Sequence, residues 1–356
     1  MDAQAKFVVS WTADFFDANG APKYRDIGRS VLEEQSRIEQ RIFREHRPVI
    51  GSDQIGDAQG VIVLTPAVTA ESVSHAGDLL AISRFGVGYD AVDVRACTAA
   101  GVLVTITVGA VDRPVAEATI GWMIGLSHNL LIKDRLLRTG RWNERSNHMG
   151  SELRDRTLGV IGFGGIAKKT IELLRGFGMR QPIAFDPFVS AEEAAKWGVR
   201  LASLDDLLRQ ADFVSIHCPL TDKTRGLLGA RELGLMKPAA YLLNTARGGI
   251  VDEEALYAAL KERRIAGAAL DCFEVEPVTS PHRFGELDNV LLAPHSIAWT
   301  DEMFRDIGRA ACQVMADLSL GNRPRGVLNP AVFDQPTFQS KWKRHQTRCA
   351  DSSGTA

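Results

Sequence analysis

The chain has little cysteine and no cysteine pattern. Only five of its 356 residues are cysteine, and no two of them form a CxxC pair. A small, odd and scattered set does not suit a disulfide framework or a cysteine-rich zinc site. Such a set is typical of proteins from reducing compartments. We therefore expect a cytoplasmic protein without a metal centre.

The chain also lacks an excess of charge of one sign and a long apolar run. Its 42 Lys and Arg residues against 44 Asp and Glu residues give a net charge of −2, which is too weak to attract nucleic acid. The N-terminus shows no basic stretch followed by an apolar one, so we expect no signal peptide. The most apolar stretch, residues 114–132, contains Glu117 and His128 and predicts a buried helix rather than a membrane span. The sequence thus predicts neither nucleic acid nor a membrane as a partner.

The length and a hydrophobic content of 45% indicate two globular domains. In the middle of the chain, short apolar runs alternate with helical patterns at 164–176, 204–210 and 252–263. Continuous apolar runs are typical of parallel strands that are buried on both faces. The six predicted strands are residues 158–162, 182–186, 212–217, 239–244, 266–271 and 290–293.

The first hundred residues repeat this alternation more weakly. Residues 37–43 are ambiguous, because their alternation favours a strand and their charges favour a helix; we interpret them as a strand. The other predicted elements are strands at 6–11, 60–65, 79–85 and 102–106, and helices at 69–76 and 92–100.

Two long helices are predicted to join the halves of the chain. One spans residues 113–138 and begins at a proline that suits a first helical turn. The other spans 301–320 and ends at a glycine. Because the second helix follows the last middle strand, it returns the chain to the first domain, which is then discontinuous. Residues 333–356 lose periodicity and predict a solvated tail, with an interaction arm as the alternative.

A glycine-rich turn follows the first middle strand. Gly162, Gly164 and Ala167 form a G-x-G-x-x-A pattern, in which the first glycine permits a tight turn and the second lets the backbone approach a pyrophosphate. The N–H groups at the start of the following helix favour the phosphate. Asp186 ends the next strand, at the offset of a carboxylate that binds ribose hydroxyls. This pattern predicts a dinucleotide site that prefers NAD to NADP, with a simple turn residue as the alternative for Asp186.

Polar residues follow three further strands, where open α/β sheets place their ligands. Arg247 suits bidentate binding of a carboxylate. Histidine as a residue type titrates near neutrality, so His295 suits proton transfer, and a nearby Glu would stabilise an imidazolium. The sequence does not show that these residues converge, and each could instead be a solvated loop residue.

These segments resemble the NAD-dependent D-isomer-specific 2-hydroxyacid dehydrogenase family over about residues 60–330. The motifs that carry the resemblance are FGVGYDAVD at 85–93, RPVAEATIGWMI at 113–124, LGVIGFGGIA at 158–167, FDP at 185–187, DFVSIHCPLTDKTRGLL at 212–228, MKPAAYLLNTARGGIVDEEAL at 236–256, ALDCFEVEP at 269–277 and LLAPHSIAWT at 291–300.

The resemblance implies an α/β fold with two Rossmann-like domains. A discontinuous, flavodoxin-like substrate-binding domain would comprise residues 1–108 and 299–332. A doubly wound parallel-sheet domain that binds NAD would comprise residues 109–298, with residues 333–356 as the C-terminal tail. The family also implies interconversion of a D-2-hydroxy acid and its 2-keto acid, and a homodimer formed through residues about 113–150.

The resemblance also implies roles for individual residues. Arg247 would bind the substrate carboxylate, His295 would act as general acid/base, and Glu276 would pair with His295 and tune it. Backbone N–H groups of Val87 and Gly88 would hold the substrate carboxylate. The residues implied for the cofactor are Gly162, Gly164, Gly165 and Ile166 at the pyrophosphate, Asp186 at the ribose, Cys218, Pro219 and Thr224 near the adenine, and Thr245, Ala246 and Asp271 at the nicotinamide.

The sequence departs from the family at two places. Gly165 stands where an arginine is common, which removes a possible phosphate donor, and the bulky Trp299 follows the predicted catalytic histidine. Two other functions stay open. A formate- or phosphite-type dehydrogenase could share the fold, although formate enzymes pair the histidine with Gln where this chain has Glu276. An NAD-sensing interaction module of the corepressor type could keep the same residues.

Overall fold

The computed structural model describes residues 6–75 and 77–350, with side chains as far as residue 346. The described residues divide into two compact units. The first unit lies within residues 1–111 and 300–356, and the second is residues 112–299. The first unit is therefore discontinuous in sequence, since the chain leaves it after residue 111 and re-enters it at residue 300.

The first unit is built on a five-stranded parallel sheet. The strand order β2-β1-β3-β4-β5 is the flavodoxin-like order. Its strands are β1 (Phe7–Trp11), β2 (Ile38–Ile42), β3 (Gly60–Val63), β4 (Ala81–Arg84) and β5 (Leu103–Thr105). Its helices are α1 (Ser30–Glu33), α2 (Ser52–Ile55), α3 (Ala70–Val73), α4 (Val94–Ala99), α12 (Asp301–Ser319) and α13 (Pro336–Ala350), with 3-10 turns at Ala13–Phe15 and Pro330–Asp334.

The second unit is built on a seven-stranded parallel sheet. Its strands are β6 (Leu158–Ile161), β7 (Ile183–Phe185), β8 (Arg200–Leu201), β9 (Phe213–Ile216), β10 (Tyr241–Asn244), β11 (Gly267–Leu270) and β12 (Val290–Leu292). Its helices are α5 (Asp112–Ser127), α6 (Leu130–Arg138), α7 (Gly165–Leu173), α8 (Ala191–Lys196), α9 (Leu204–Gln210), α10 (Ala230–Leu233) and α11 (Glu253–Lys261), with 3-10 turns at Trp142–His148, Leu174–Phe177 and Arg283–Glu286. The order β12-β11-β10-β9-β6-β7-β8 reverses between β6 and β9, and such a switch point is where doubly wound sheets bind nucleotides.

The core of the second unit lies on both faces of its sheet. Successive side chains of a strand point to opposite faces. Val214 and Ile216 of β9 therefore pack in one hydrophobic cluster, while Phe213 packs in the other. Because neither face meets water, the strands carry continuous apolar runs. These runs made the strands recognisable in the sequence, and the predicted α/β class with two parallel sheets is confirmed.

The long helix predicted at 113–138 is two helices. The chain breaks between α5 and α6 at Asn129, which adopts a left-handed conformation with φ 55° and ψ 40°. Asparagine tolerates this conformation better than most residues, and the Nδ2 of Asn129 donates to the carbonyl of Met149 at 3.1 Å. The prediction of one continuous helix was therefore wrong. Among the helices of the described segments, none is long and apolar enough to cross a membrane.

The segment after residue 333 is not a solvated tail as far as the structure describes it. Helix α13 buries Phe338 completely, and the ring of Trp342 lies 5.3 Å from it. The indole Nε1 of Trp342 donates to the carbonyl of Leu318 at the end of α12, and Lys341 Nζ donates to the carbonyl of Ala100 at 3.0 Å. The predicted tail is thus wrong for residues 336–346. Residues 351–356, and residue 76 of the helix predicted at 69–76, lie outside the described residues.

Candidate active site

The glycine-rich turn lies between β6 and α7, at the switch point of the sheet. Gly162 has a φ of 90°, and a Cβ there would lie 2.7 Å from the backbone nitrogen of Cys218. Both the conformation and this close approach require glycine. A Cβ on Gly164 would meet open space, so the backbone of this residue is accessible. The turn therefore has the shape that a dinucleotide phosphate needs.

Among the described residues, no side-chain cap is found at the N-cap position of α7. Gly164 occupies the N-cap position and provides no side-chain hydrogen bond. The first amides of a helix lack partners inside the helix and attract anions. Gly165 and Ile166 are the first two residues of α7, so their amides belong to this group. The predicted pyrophosphate residues thus lie together at an uncapped helix start.

Asp186 follows β7 and is held by the same turn. Its Oδ2 accepts the amide of Phe163 at 2.8 Å, and its Oδ1 accepts the amide of Phe188 at 2.8 Å. The carboxylate is thereby fixed beside the glycine-rich turn. Such a carboxylate has capacity left for ribose hydroxyls, since each oxygen accepts more than one hydrogen bond.

The loop after β9 contains the residues predicted for the adenine. Burial, reinforced by the charge of Asp186, raises the pKa of the Cys218 thiol to about 11, which keeps this thiol protonated and unreactive. The hydroxyl of Thr224 donates to the carbonyl of Pro219 at 2.6 Å and so closes the loop. Asp186 thus lies close enough to Cys218 for its charge to act on the thiol, and Pro219 and Thr224 belong to the same loop as Cys218.

The loop after β10 is ordered by Asn244. Its Oδ1 accepts the amide of Ala246 at 3.1 Å, and its Nδ2 donates to the carbonyl of Arg247 at 2.8 Å. A Cβ on Gly248 would lie 1.8 Å from the carbonyl oxygen of Phe273, so the loop packs against the segment that follows β11. The hydroxyl of Thr245 is buried and finds no partner within the described part of the chain. Such a group fits a site that a ligand completes.

Asp271, at the end of β11, holds the turn that carries His295. The backbone carbonyl of Asp271 accepts the amide of His295 at 2.8 Å. Its side-chain Oδ1 accepts the amides of Ser296 at 2.8 Å and Ile297 at 3.2 Å. Burial raises the pKa of Asp271, and the two amides oppose that rise. His295 has a φ of 52°, a strained value for histidine that these three hydrogen bonds maintain.

His295 and Glu276 form a close pair at the carboxyl edge of the sheet. Nδ1 of His295 lies 2.7 Å from Oε2 of Glu276, and the other carboxylate oxygen of Glu276 accepts the amide of Phe273 at 2.9 Å. Burial acts to raise the pKa of Glu276, but the His295 and Phe273 hydrogen bonds and the charges of His295 and Arg247 together lower it. The carboxylate is therefore ionised near neutral pH. Because Nδ1 is engaged, Nε2 is the ring atom that remains for proton transfer.

Potential metal ligands among the described residues coincide with this pair. Ligand atoms of Cys272, Glu276 and His295 lie within 4.8 Å of one another. The Cys272 thiol is buried and donates to the carbonyl of Ala246 at 3.4 Å. Within this group, Nδ1 of His295 and Oε2 of Glu276 already share a short hydrogen bond.

Val87 and Gly88 belong to the first unit. They lie in the loop that follows the carboxyl end of β4, and both are half-buried. Trp299 is the last residue of the second unit and is half exposed.

Sequence reasoning missed two residues near the turn. His217 follows β9, bonds to the hydroxyl of Ser215 at 2.9 Å, and has a pKa lowered to about 4 by desolvation of its ring. Asp112, the first residue of α5, lies against the start of α7: a Cβ on Gly165 would be 2.1 Å from its Oδ2. The sequence offered one signal for Asp112. A glycine stands at position 165, where the family commonly has an arginine, which indicates that another group fills the space of that side chain.

A dinucleotide fits what the structure provides. The uncapped start of α7, the glycine turn, the fixed carboxylate of Asp186 and the unpartnered hydroxyl of Thr245 form one continuous edge of the sheet. These features define a dinucleotide-binding α/β protein that carries a histidine–carboxylate pair at the same edge.

Comparison with known proteins agrees with this class. The NAD binding domain of the D-isomer specific 2-hydroxyacid dehydrogenases matches residues 120–296. A glyoxylate reductase from Thermofilum pendens is 36% identical over 281 residues, which cover 76% of this chain and 81% of that protein. The crystal structure of a D-lactate dehydrogenase from Aquifex aeolicus, in complex with NAD and lactic acid, is 27% identical with a TM-score of 0.75 and covers 88% of this chain and 96% of that one.

The chain belongs to the D-isomer specific 2-hydroxyacid dehydrogenase family, and its cofactor is NAD. It is also 36% identical, over 301 residues and 84% of its length, to a D-3-phosphoglycerate dehydrogenase from Methanocaldococcus jannaschii. It covers only 56% of that protein. The chain thus spans about half the length of the phosphoglycerate dehydrogenases that it matches.

Proposed function

We propose that this protein is an NAD-dependent oxidoreductase that interconverts a D-2-hydroxy acid and its 2-keto acid. The observation that carries the proposal is the pair of His295 and Glu276, whose Nδ1 and Oε2 atoms lie 2.7 Å apart. An ionised carboxylate on Nδ1 stabilises the imidazolium form and fixes the ring orientation. This arrangement suits a residue that alternately accepts and donates one proton.

Proton transfer at Nε2 of His295 completes the proposed chemistry. NAD, when bound, supplies the hydride acceptor in the oxidation and its reduced form the hydride donor in the reduction. In the oxidation direction, neutral His295 accepts the substrate hydroxyl proton at Nε2. In the reduction direction, the imidazolium donates that proton to the carbonyl oxygen. Glu276 stays ionised throughout and compensates the positive ring.

Arg247 is proposed to bind the substrate carboxylate and to polarise the reacting oxygen. Its charge lowers the pKa of Glu276, which supports its placement near the histidine pair. A guanidinium matches a carboxylate through two parallel hydrogen bonds. For the first unit, we propose a substrate-binding role, with backbone N–H groups of Val87 and Gly88 as donors to a substrate carboxylate.

The cofactor contacts are proposed to follow the order of the loops. Gly162, Gly164, Gly165 and Ile166 would bind the pyrophosphate, and Asp186 would bind the ribose. Cys218, Pro219 and Thr224 would face the adenine side, and Thr245, Ala246 and Asp271 the nicotinamide. The uncapped start of α7 and the buried Thr245 hydroxyl support the two ends of this assignment.

A reduction screen with NADH tests the activity. We expect turnover with at least one of glyoxylate, hydroxypyruvate, pyruvate and 3-phosphohydroxypyruvate, and a product of the D configuration where the product is chiral. If the protein binds NADH but turns over none of these substrates and no bulkier 2-keto acid, the proposed dehydrogenase activity is wrong. That result would support an NAD-sensing interaction module. If the protein oxidises formate or phosphite better than any 2-hydroxy acid, a formate- or phosphite-type dehydrogenase is favoured.

We also propose a homodimer formed through residues about 113–150. The buried side chains of α5 pack within their own unit, but Leu137 of α6 is 67% exposed and Met149 is 79% exposed. Trp142, which begins the turn after α6, is 61% exposed. Neighbouring apolar side chains that are this exposed are typical of an interface.

A cytoplasmic location is proposed from the thiols. Cys97, Cys218 and Cys312 form no disulfide within the described part of the chain. Unpaired cysteines are typical of reducing compartments.

A further inference from the structure

The carboxylate of Asp112 lies directly beside the start of α7. A Cβ built on Gly165 would be 2.1 Å from Oδ2, 2.7 Å from Cγ and 2.9 Å from Oδ1 of Asp112. All three atoms of the carboxylate therefore occupy the space into which a side chain at position 165 would extend. Gly165 has no left-handed backbone, so a larger residue at this position would require the Asp112 side chain to move and would not strain the backbone.

The Asp112 carboxylate is not neutralised by its surroundings. No hydrogen bond or ion pair of this side chain is found among the described residues. Its pKa is raised by burial, an effect that the charge of Lys169 opposes. Lys169 itself is paired with Glu172 at 2.8 Å. The negative charge at this point is therefore only partly compensated.

The start of α7 is also the place where the chain binds a diphosphate. Its amides attract anions because they lack partners within the helix. Two features of this chain reduce the attraction for anions at the start of α7. Position 165 carries no cationic side chain, and the Asp112 carboxylate fills the space that such a side chain would take. A diphosphate bound at this helix start and the Asp112 carboxylate would carry charges of the same sign and would repel each other.

We propose that Asp112 is a negative determinant of dinucleotide affinity, which repels the bound diphosphate and disfavours a side chain at position 165. This inference rests on NAD binding at the turn between β6 and α7. It does not depend on the roles of His295, Glu276 or Arg247. The carboxylate weakens NAD binding in both oxidation states and so favours rapid exchange of the cofactor.

Calorimetric titration of ligands into the whole protein distinguishes the effect of the Asp112 charge on affinity from the effect of its side-chain volume. Asp112→Asn removes the charge and keeps the side-chain volume. We expect it to tighten the binding of NADH and ADP-ribose, which both contain a diphosphate, by roughly 3- to 10-fold. Adenosine, which has no phosphate, should bind the two proteins equally. The gain should shrink as salt is raised, because salt screens partly exposed charges.

The matched control removes a carboxylate from the other edge of the sheet. Glu262 follows α11 and precedes β11, so it lies at the amino edge, away from the turn. Glu262→Gln should leave all three affinities unchanged. Equal NADH affinities for the wild type and Asp112→Asn, or equal gains for adenosine and NADH, would overturn the proposal. If neither the wild type nor any variant binds NADH, the assignment of the dinucleotide site is wrong as well. Failure of the Asp112 proposal alone is thereby distinguished from failure of the dinucleotide site.

A double-mutant cycle tests the spatial half of the proposal without any ligand. Gly165→Ala should lower the melting temperature of the wild type, because the new methyl group meets the carboxylate. In the Asp112→Ala background the same change should be neutral or stabilising, since alanine favours a helix over glycine. Equal shifts of the melting temperature in both backgrounds would overturn the exclusion at position 165.

Discussion

Nδ1 of His295 and Oε2 of Glu276 lie 2.7 Å apart, although 19 residues separate them in the chain. The contact exists because β11 and β12 are neighbours in the sheet and both loops emerge at its carboxyl edge. It commits one ring nitrogen to the carboxylate and leaves the other for the substrate. The first prediction follows from this division.

His295→Ala is expected to lower turnover by roughly 10²- to 10⁴-fold, the usual size of a lost general acid/base. NADH affinity should stay close to that of the wild type, because the phosphate turn is untouched. Steady-state kinetics and a calorimetric titration measure the two quantities. His46→Ala, at an exposed histidine of the first unit, is the matched control. Near wild-type turnover in His295→Ala would remove the residue from the mechanism.

Glu276→Gln tests the partner in the same pair. We expect a smaller loss of turnover than in His295→Ala, since the ring is still present. The pH profile of the reduction should move to lower pH, because the imidazolium loses its ionised neighbour. A profile that does not move would show that the carboxylate does not support the charged ring.

Asp186 is expected to set the preference for the cofactor. Wild-type protein should use NADH better than NADPH, because a 2′-phosphate would meet the fixed carboxylate. Asp186→Ala should reduce the preference for NADH over NADPH, mainly by raising the KM for NADH. Asp186→Asn removes the charge but keeps one oxygen acceptor, so it retains the amide of either Phe163 or Phe188 and not both. Equal kcat/KM for both cofactors in the wild type would refute the assignment.

Asp271 is expected to act as a positioning residue for His295. Asp271→Ala removes the acceptor of two amides that hold the left-handed turn, and should cost about 1–3 kcal/mol of stability. Its kcat should fall because the imidazole is no longer held in place. Asp271→Asn keeps an oxygen acceptor and should recover most of both losses. If Asp271→Asn lowers kcat as much as Asp271→Ala does, the charge of Asp271, and not its hold on the turn, determines kcat.

His217 is expected to make stability depend on pH. Its pKa is lowered to about 4 in the folded protein, against an ordinary value of 6.5, because the surrounding protein desolvates the ring. Between these values the unfolded chain binds a proton that the folded protein does not. Stability is therefore complete above pH 6.5 and falls as the pH decreases towards 4, by at most about 3 kcal/mol.

Urea unfolding at several pH values measures this effect. His217→Gln cannot take up the proton and should show a flatter stability profile between pH 6.5 and 4. His46→Ala, which changes an exposed histidine, should keep the wild-type slope. Identical slopes for His217→Gln and the wild type would show that His217 does not titrate in this way.

The assembly prediction is tested by light scattering at micromolar concentration. A homodimer has twice the chain mass of 38.9 kDa, about 78 kDa. Leu137→Glu on α6 should shift the mass towards the monomer, because it places a charge on the exposed apolar surface. Leu320→Glu, at an exposed leucine of the first unit, is the control. A wild-type mass near 39 kDa would exclude the dimer.

The sequence identified most of the secondary structure because burial on both faces produces continuous apolar strands. It missed β8, whose two residues, Arg200 and Leu201, are too few to form a pattern. It also missed the break at Asn129, because the apolar character on either side continues while the break depends on bonds to a distant loop. The amphipathic helix α13 escaped because its polar residues outnumber the aromatic ones that it buries.

For the site, the sequence by itself determined what is local. The glycine turn, the following helix and the carboxylate at the end of the next strand are fixed by backbone conformation and spacing within one β-α-β unit. The resemblance to the dehydrogenase family supplied the pairing of His295 with Glu276.

Only the tertiary structure decided which distant groups touch. The order of strands in the sheet brought the Glu276 and His295 loops together, and the packing of α5 on α7 placed Asp112 against Gly165. The desolvation of His217 that lowers its pKa likewise depends on the surrounding fold. Charges, hydrogen bonds and pKa values follow distances in space, and a linear sequence does not contain those distances.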